Sequence, residues 1–318
     1  GLLDISTIDT QNIFYRFWLY CRGFTAPIFF TITGWIFTFL LLKEEKEGLN
    51  PRIKKGIKRG VELLIWGYLL RLNLPSLLWG SFNDSFTQPD VLHIIGLSIG
   101  FILLFYTGLR FLKNHLAWIF LTFGLILFLL EPAYSQLNLD SLPKFLAAYL
   151  IKGYGGVFYL LPWLGYVFIG SSLAFFFNSR YATYKTWILP STLLGLLLIF
   201  ASSMLLNSLG IVLNLSLFKQ VAQNNFLFIR LGDFFLLLSF FMLFQSGFQN
   251  KLWRFLGTNT LVLYIVHYFI LYGSITGWGL YKFFAHQLSL GETVLGLILF
   301  LAGCIGIVFV KDFKKLNP

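Results

Sequence analysis

Nine long apolar runs dominate this sequence, at residues 23–42, 60–78, 91–109, 116–130, 157–177, 187–206, 226–244, 260–275 and 293–310. Crossing the hydrocarbon of a bilayer takes about 20 predominantly apolar residues in a helix. Lipid offers no partner for an unpaired backbone amide, so a crossing segment must satisfy its own hydrogen bonds. The alternation of apolar and polar residues that barrel strands need is absent. The sequence therefore predicts an all-α, polytopic integral membrane helical bundle of about nine transmembrane helices, organised as one domain over residues 1–318. The runs at 116–130 and 260–275 are short, which predicts a kinked, tilted or partly re-entrant segment at each.

Composition excludes a soluble alternative. Hydrophobic residues make up 57% of the 318 and charged residues 12%, about half the charged share usual in soluble domains. A net charge of +11 would suggest a nucleic-acid partner in a soluble protein. Here the basic residues gather in short connections between apolar runs, so no nucleic acid is expected and the lipid bilayer is the partner. Connections after the odd-numbered runs, with the C-terminal tail, hold 16 of the 24 Lys and Arg residues. Positive charge stays on the cytoplasmic side, which predicts a cytoplasmic C-terminus and residue 1 outside.

The basic stretch 43–59 is then a cytoplasmic loop. It reads as a topology signal beside anionic lipid, with a cradle for the phosphates of a nucleotide-bearing donor as the alternative. The largest external loop is 131–156, where Leu142, Phe145, Leu146 and Leu150 recur at helical spacing and predict a short interfacial helix. Cys21 and Cys304 lack metal or redox spacing, and no metal is expected. The chain opens Gly-Leu-Leu-Asp without Met, which reads as a fragment or a processed chain. Nine spans starting outside fit a ten-helix protein without its first helix.

Ionisable side chains inside a membrane are costly, so they are the first candidates for function. Asp90 and His93 stand at i and i+3 at the outer start of the third run, on one helical face. A carboxylate beside an imidazole raises its basicity and fixes its tautomer, as a general base requires. The plainer alternative is an Asp N-cap with a His at headgroup level. Arg22 opens the first run and Arg71 lies near the outer end of the second. Both could bind an anion or an acyl oxygen, or reach for the interface, where Arg16 is also expected. His267 lies within the eighth run, with Tyr264, Tyr268 and Leu271 on its face, and either meets a cavity or bonds a neighbouring helix. Asn259 is expected to N-cap that helix, with Thr258 competing, and Glu62 to pair with Lys58 or Arg59. Arg230 and Asp233 stand near the start of the seventh run, while His115 and His286 are expected in solvent. No Walker loop, GxSxG, HExxH or dinucleotide fingerprint is present. Arg22, Arg71, His93 and His267 are expected to converge on one cavity.

Four segments carry a family resemblance. They are Arg22-Gly-Phe-Thr-Ala-Pro-Ile-Phe-Phe-Thr-Ile-Thr-Gly34, Asp90-Val-Leu-His-Ile-Ile-Gly96, Leu161-Pro-Trp-Leu-Gly-Tyr-Val-Phe-Ile-Gly170 and Leu256-Gly-Thr-Asn-Thr-Leu-Val-Leu-Tyr-Ile-Val-His267. In this order and spacing the chain resembles transmembrane acyltransferases related to heparan-alpha-glucosaminide N-acetyltransferase, bacterial members above all. The last segment is also similar to the closing helix of bacterial sugar O-acyltransferases. The resemblance implies transfer of an acyl group, commonly acetyl, from cytoplasmic acyl-CoA to a hydroxyl or amine of a saccharide or lipid-linked glycan on the far side of a bacterial inner membrane. It also implies a first helix ending in a Gly-His pair, whose His is central to catalysis, just upstream of where this chain begins. On the residues present, it points to His93 with Asp90 and to His267 for catalysis, and to Arg22, Arg71, Tyr264 and Trp163 for substrate binding.

The chemistry is consistent with those residue types. Acyl transfer needs a base for the acceptor and donors for the developing oxyanion, and a thioester is already activated, so no metal is required. Two other functions compete: a transporter or flippase for a small anionic or glycosylated solute, which broken helices near the midplane would favour, and a non-enzymatic membrane subunit.

Overall fold

The computed structural model describes residues 2–4, 6, 9–44, 50–80, 84–177 and 184–316. Among these the chain is mostly helical, with no β-strands beyond two isolated bridges. The helices are α1 (Ile13–Lys43), α2 (Pro51–Arg71), α3 (Leu74–Leu78), α4 (Val91–Gly108), α5 (Leu116–Leu129), α6 (Glu131–Tyr134), α7 (Lys144–Leu150), α8 (Leu160–Phe177), α9 (Ile188–Leu196), α10 (Ser202–Val212), α11 (Ser216–Gln223), α12 (Phe226–Leu243), α13 (Lys251–Thr258), α14 (Thr260–Tyr272), α15 (Leu280–Phe284) and α16 (Leu290–Leu316).

Among the described residues, seven helical segments are long and apolar enough to cross a bilayer, and the bent pair α13–α14 makes an eighth. The all-α polytopic bundle is as expected, with a lower count than nine. The difference is the second run. Its helix α2 has 21 residues but begins at Pro51, so its first half carries Arg52, Lys54, Lys55, Lys58 and Arg59. Proline is suited to the first helical position, where its missing N–H would have had no partner. Residues 51–59, expected as loop, are therefore helix. Glu44 just after α1 pairs with Arg52 at 3.3 Å and Lys55 at 3.0 Å, both on α2. Residues 45–49, Arg180 and the connection around Asn83 lie outside the described residues. α1 starts ten residues earlier than its apolar run, because Arg16 and Arg22 interrupt the hydrophobic pattern without interrupting the helix.

The chain divides into two compact units. The larger comprises Cys21–Gly67 and Thr87–Phe244. Its helices meet backbone to backbone. Lipid tails are as apolar as leucine, so membrane helices associate through close packing at small residues. Gly34 of α1 lies against the Val167 carbonyl of α8, and Gly170 of α8 against the Thr31 carbonyl of α1, with no room for a Cβ on either. Reciprocal glycines join α2 to α4 (Gly60, Gly96), α5 to α8 (Gly124, Gly165) and α9 to α12 (Gly195, Gly232). A Cβ at Gly96 would lie 2.7 Å from the Gly60 carbonyl oxygen. Phe30, Phe120, Phe128 and Tyr166 fill the core, and the Tyr166 hydroxyl donates to the Leu227 carbonyl at 2.9 Å. A π-helical turn, Leu197–Ala201, joins α9 to α10 in one rod whose Leu189, Leu193, Phe200 and Met204 are exposed, as a lipid-facing surface requires.

The smaller unit comprises Gly1–Tyr20, Tyr68–Phe86 and Gln245–Pro318. Within it α13 and α14 meet at 69°, the break expected of the short eighth run. Asn259 does not cap α14 with its side chain. Its Nδ2 donates back to the Phe255 carbonyl at 3.2 Å, and the Thr258 hydroxyl donates to the Arg254 carbonyl at 3.0 Å. Both side chains serve the end of α13, because one helix runs straight into the next. Phe255 stacks on Phe309 of α16 at 4.3 Å. α14 stops at Gly273, whose φ of 67° is a left-handed conformation that glycine adopts freely.

Candidate functional site

Asp90 is the N-cap of α4. Its carboxylate accepts from the Val91 amide at 2.7 Å and from the amide of His93, three positions into the helix. The reciprocal bond runs from the Asp90 amide to Nδ1 of His93, at 3.0 Å. This is a capping box with histidine in place of the usual Glu or Gln. The tautomer of His93 is thus fixed by a main-chain amide, and the carboxylate expected to fix it holds the helix start. With Nδ1 accepting, the neutral ring carries its proton on Nε2. His93 is therefore set up as a donor at Nε2, and a general-base role at that atom would require the other tautomer.

The ring is fully buried. Tyr149 of α7 meets it edge-on at 5.8 Å between centroids. Gly67 of α2 makes room on another side, where a Cβ would stand 2.6 Å from Cε1. α7 is the short helix expected within loop 131–156, and its Phe145 and Leu146 are exposed while Ala147 and Ala148 are buried. The end of this loop lies on the approach to α4: a Cβ at Gly155 would meet Gln88, and one at Gly156 would meet Pro89, each at 2.9 Å. One loop therefore covers the start of α4 and the imidazole behind it.

A cavity of about 260 Å³ opens among the residues of this loop and the first turns of α8 and α12. Glu131, Tyr134, Lys152, Tyr159, Pro162 and Phe226 line it. Glu131 and Tyr134 stand at i and i+3 on α6 and share a face. Burial pushes the Glu131 carboxyl above its ordinary 4.5, against the pull of Lys152. Burial, with the nearby Glu131 charge and then Tyr159, also drives the Tyr134 phenol well above its ordinary 10. Tyr134 is 8% exposed, and its hydroxyl has no hydrogen-bond partner among the described residues. The sequence reading missed this group. The available signal was a single carboxylate, the only one between Asp90 and Asp140, directly abutting the apolar end of α5.

The other candidates fall as follows. Arg22 and Arg16 are exposed on α1. Trp163 belongs to the larger unit, where it stacks on Phe30 at 5.2 Å and Tyr166 at 5.9 Å, with its indole Nε1 buried and unpartnered. Arg71, Tyr264 and His267 belong to the smaller unit. Arg71 ends α2, half-buried. Tyr264 meets His267 edge-on at 4.9 Å, and Tyr268 extends the ring cluster to Tyr272 at 4.6 Å. His267 is half-buried, while His115 and His286 are exposed. Glu62 pairs with Arg59 at 3.0 Å.

Arg230 and Asp233 form an ion pair at 2.9 Å inside α12, 17% and 7% exposed, and Gly23 packs on the guanidinium. Charges so placed in a membrane protein mark function or a structural anchor. Both cysteines are free. Among the described residues, no three His, Cys, Asp or Glu side chains cluster as a metal site would require.

The comparison with known families bears on this arrangement. The chain matches the model of the acyltransferase domain family over residues 3–309. No curated protein and no solved structure matches it. A match over nearly the whole chain, on a helical bundle with seven to eight membrane-crossing segments, leaves one assignment: this chain belongs to the acyltransferase domain family, as an integral membrane member.

Proposed function

We propose that the protein transfers an acyl group, acetyl in the simplest case, from acyl-CoA supplied on the cytoplasmic side to a hydroxyl or amine of an extracytoplasmic glycan. The observation that carries this reading is the buried imidazole of His93, oriented by a main-chain bond at the start of α4 inside a chain of the acyltransferase family. The four segments resembling relatives of heparan-alpha-glucosaminide N-acetyltransferase support the same donor and acceptor classes. The charge bias of the connections supports a cytoplasmic C-terminus in a bacterial inner membrane.

In this reading the Nε2–H of His93 donates to the acyl oxygen as it gains charge, an interaction worth most in a water-poor site. His267 is then the candidate base for the acceptor, with Tyr264 beside it. Arg22 and Arg71 hold anionic or acyl oxygens, and Trp163 packs against substrate. Membranes carrying the full chain, incubated with radiolabelled acetyl-CoA, should incorporate label into glycan. His93→Ala should lower that incorporation by about 10²–10³-fold. Unlabelled glycan from active membranes, or undiminished labelling by His93→Ala, would sink the proposal.

One observation favours a transporter, the 69° break between α13 and α14. Flux of a labelled solute into liposomes, with no acetyl transfer, would establish that reading instead.

A further inference from the structure

We propose that the cavity beneath loop 131–156 binds one saccharide ring, and that Glu131 and Tyr134 hold its hydroxyl groups. That this ring is the acyl acceptor rests on the transferase reading above; that the cavity binds sugar does not.

The first observation is the buried hydroxyl of Tyr134, a residue that lines the cavity, with no hydrogen-bond partner among the described residues. Leaving such a group unpaired forfeits the hydration it gave up on folding. A ligand hydroxyl, able both to donate and to accept, relieves it. The second is the chemistry of the lining. Tyr134, Tyr159, Pro162 and Phe226 offer apolar faces, while Glu131 and Lys152 offer polar ends. A sugar ring has the same two characters, apolar C–H faces and a rim of hydroxyls.

Charge narrows the ligand class. Glu131 and Lys152, residues of opposite charge type, both line the cavity, so an anion or a cation would each meet an unfavourable neighbour there. A neutral polyol fits better than a phosphate or an ammonium ion. Size narrows it further, because about 260 Å³ lies just below the usual range of roughly 300–1,000 Å³ for small-molecule pockets. One ring fits and an oligosaccharide does not. Position gives the site its use: Lys152 follows α7, the helix whose Tyr149 covers His93. A sugar held here sits under the loop that covers the imidazole.

The test is saturation-transfer NMR on the full chain in nanodiscs, with the methyl glycosides of glucose, galactose, mannose and N-acetylglucosamine as probes. At least one should receive magnetisation on its ring protons. Tyr134→Phe and Glu131→Gln should each weaken its binding by about 3- to 10-fold, the effect of one hydrogen bond. Tyr134→Phe removes a single oxygen and keeps the ring, so a folded variant is expected, to be confirmed by a melting temperature no lower than that of the native chain. No transfer to any glycoside, or an affinity unchanged by both substitutions, overturns the proposal. Glycoside binding without acetyl transfer would keep this site and discard the acyl-CoA reading. Acetyl transfer with an acceptor KM unmoved by Tyr134→Phe would do the opposite.

Discussion

At the scale of single residues, the most informative feature is the double use of Asp90 and His93. Sequence spacing showed that they share a face. It could not show which atoms would meet, because a capping box and a carboxylate–imidazole pair have the same spacing. The main-chain amide decides between them by holding Nδ1. The ring is also held from α2. Gly67→Ala would place a methyl 2.6 Å from Cε1 and push the ring out of register; displacements of about 1 Å can cost on the order of 10²-fold in rate. We expect acetyl transfer by Gly67→Ala to fall at least about tenfold, with the chain still inserted and folded by protease resistance.

Glu131 makes a separate prediction. Its carboxyl pKa is raised by burial in the folded protein, so on raising the pH the unfolded chain loses its proton first. Stability attributable to this group is then complete below about pH 4.5, the unfolded value, and declines as pH rises through the folded value. Glu131→Gln removes this dependence. Its melting temperature should gain on that of the native chain between pH 4 and pH 7, and parallel curves for the two would refute the burial argument.

At the scale of elements, spans were legible and their ends were not. The seventh run was read at 226–244 and α12 is Phe226–Leu243, because no charge interrupts its core and Arg230 and Asp233 neutralise each other. α1 was read short, and the second run, read at 60–78, began late and ran past the end of α2 at Arg71 into α3; arginines and lysines lower apolarity without unwinding a helix. What apolar patterns cannot reveal is which glycines touch a neighbour. Gly170→Leu should destabilise the α1–α8 crossing by about 1–3 kcal/mol or more, seen as a lower melting temperature. The same change at Gly296, which meets nothing nearby, should be close to neutral. Asp233→Ala takes the carboxylate from a half-buried guanidinium and should lower the melting temperature. Replacing both partners with apolar residues should restore much of that loss if the pair is an anchor only.

At the scale of the whole molecule, the all-α membrane architecture was legible from nine apolar runs alone. The Glu131–Tyr134 cavity was not, because it depends on a short helix and a loop folding back over α4. Orientation can be tested directly. In a background lacking Cys21 and Cys304, a cysteine at position 138 should react with a membrane-impermeant maleimide on intact cells. One at position 113 should react only after the membrane is opened, and the reverse pattern would invert the topology.

The glycine contacts of the larger unit bear on motion as well. Where the main chains of α1 and α8 touch at Gly34 and Gly170, neither helix can slide along the other by a turn without driving a carbonyl into a Cα. Alternating access by shear within this pair is therefore blocked. Any opening and closing must swing α1 and α8 as one lever, and must hinge where main chains stay apart.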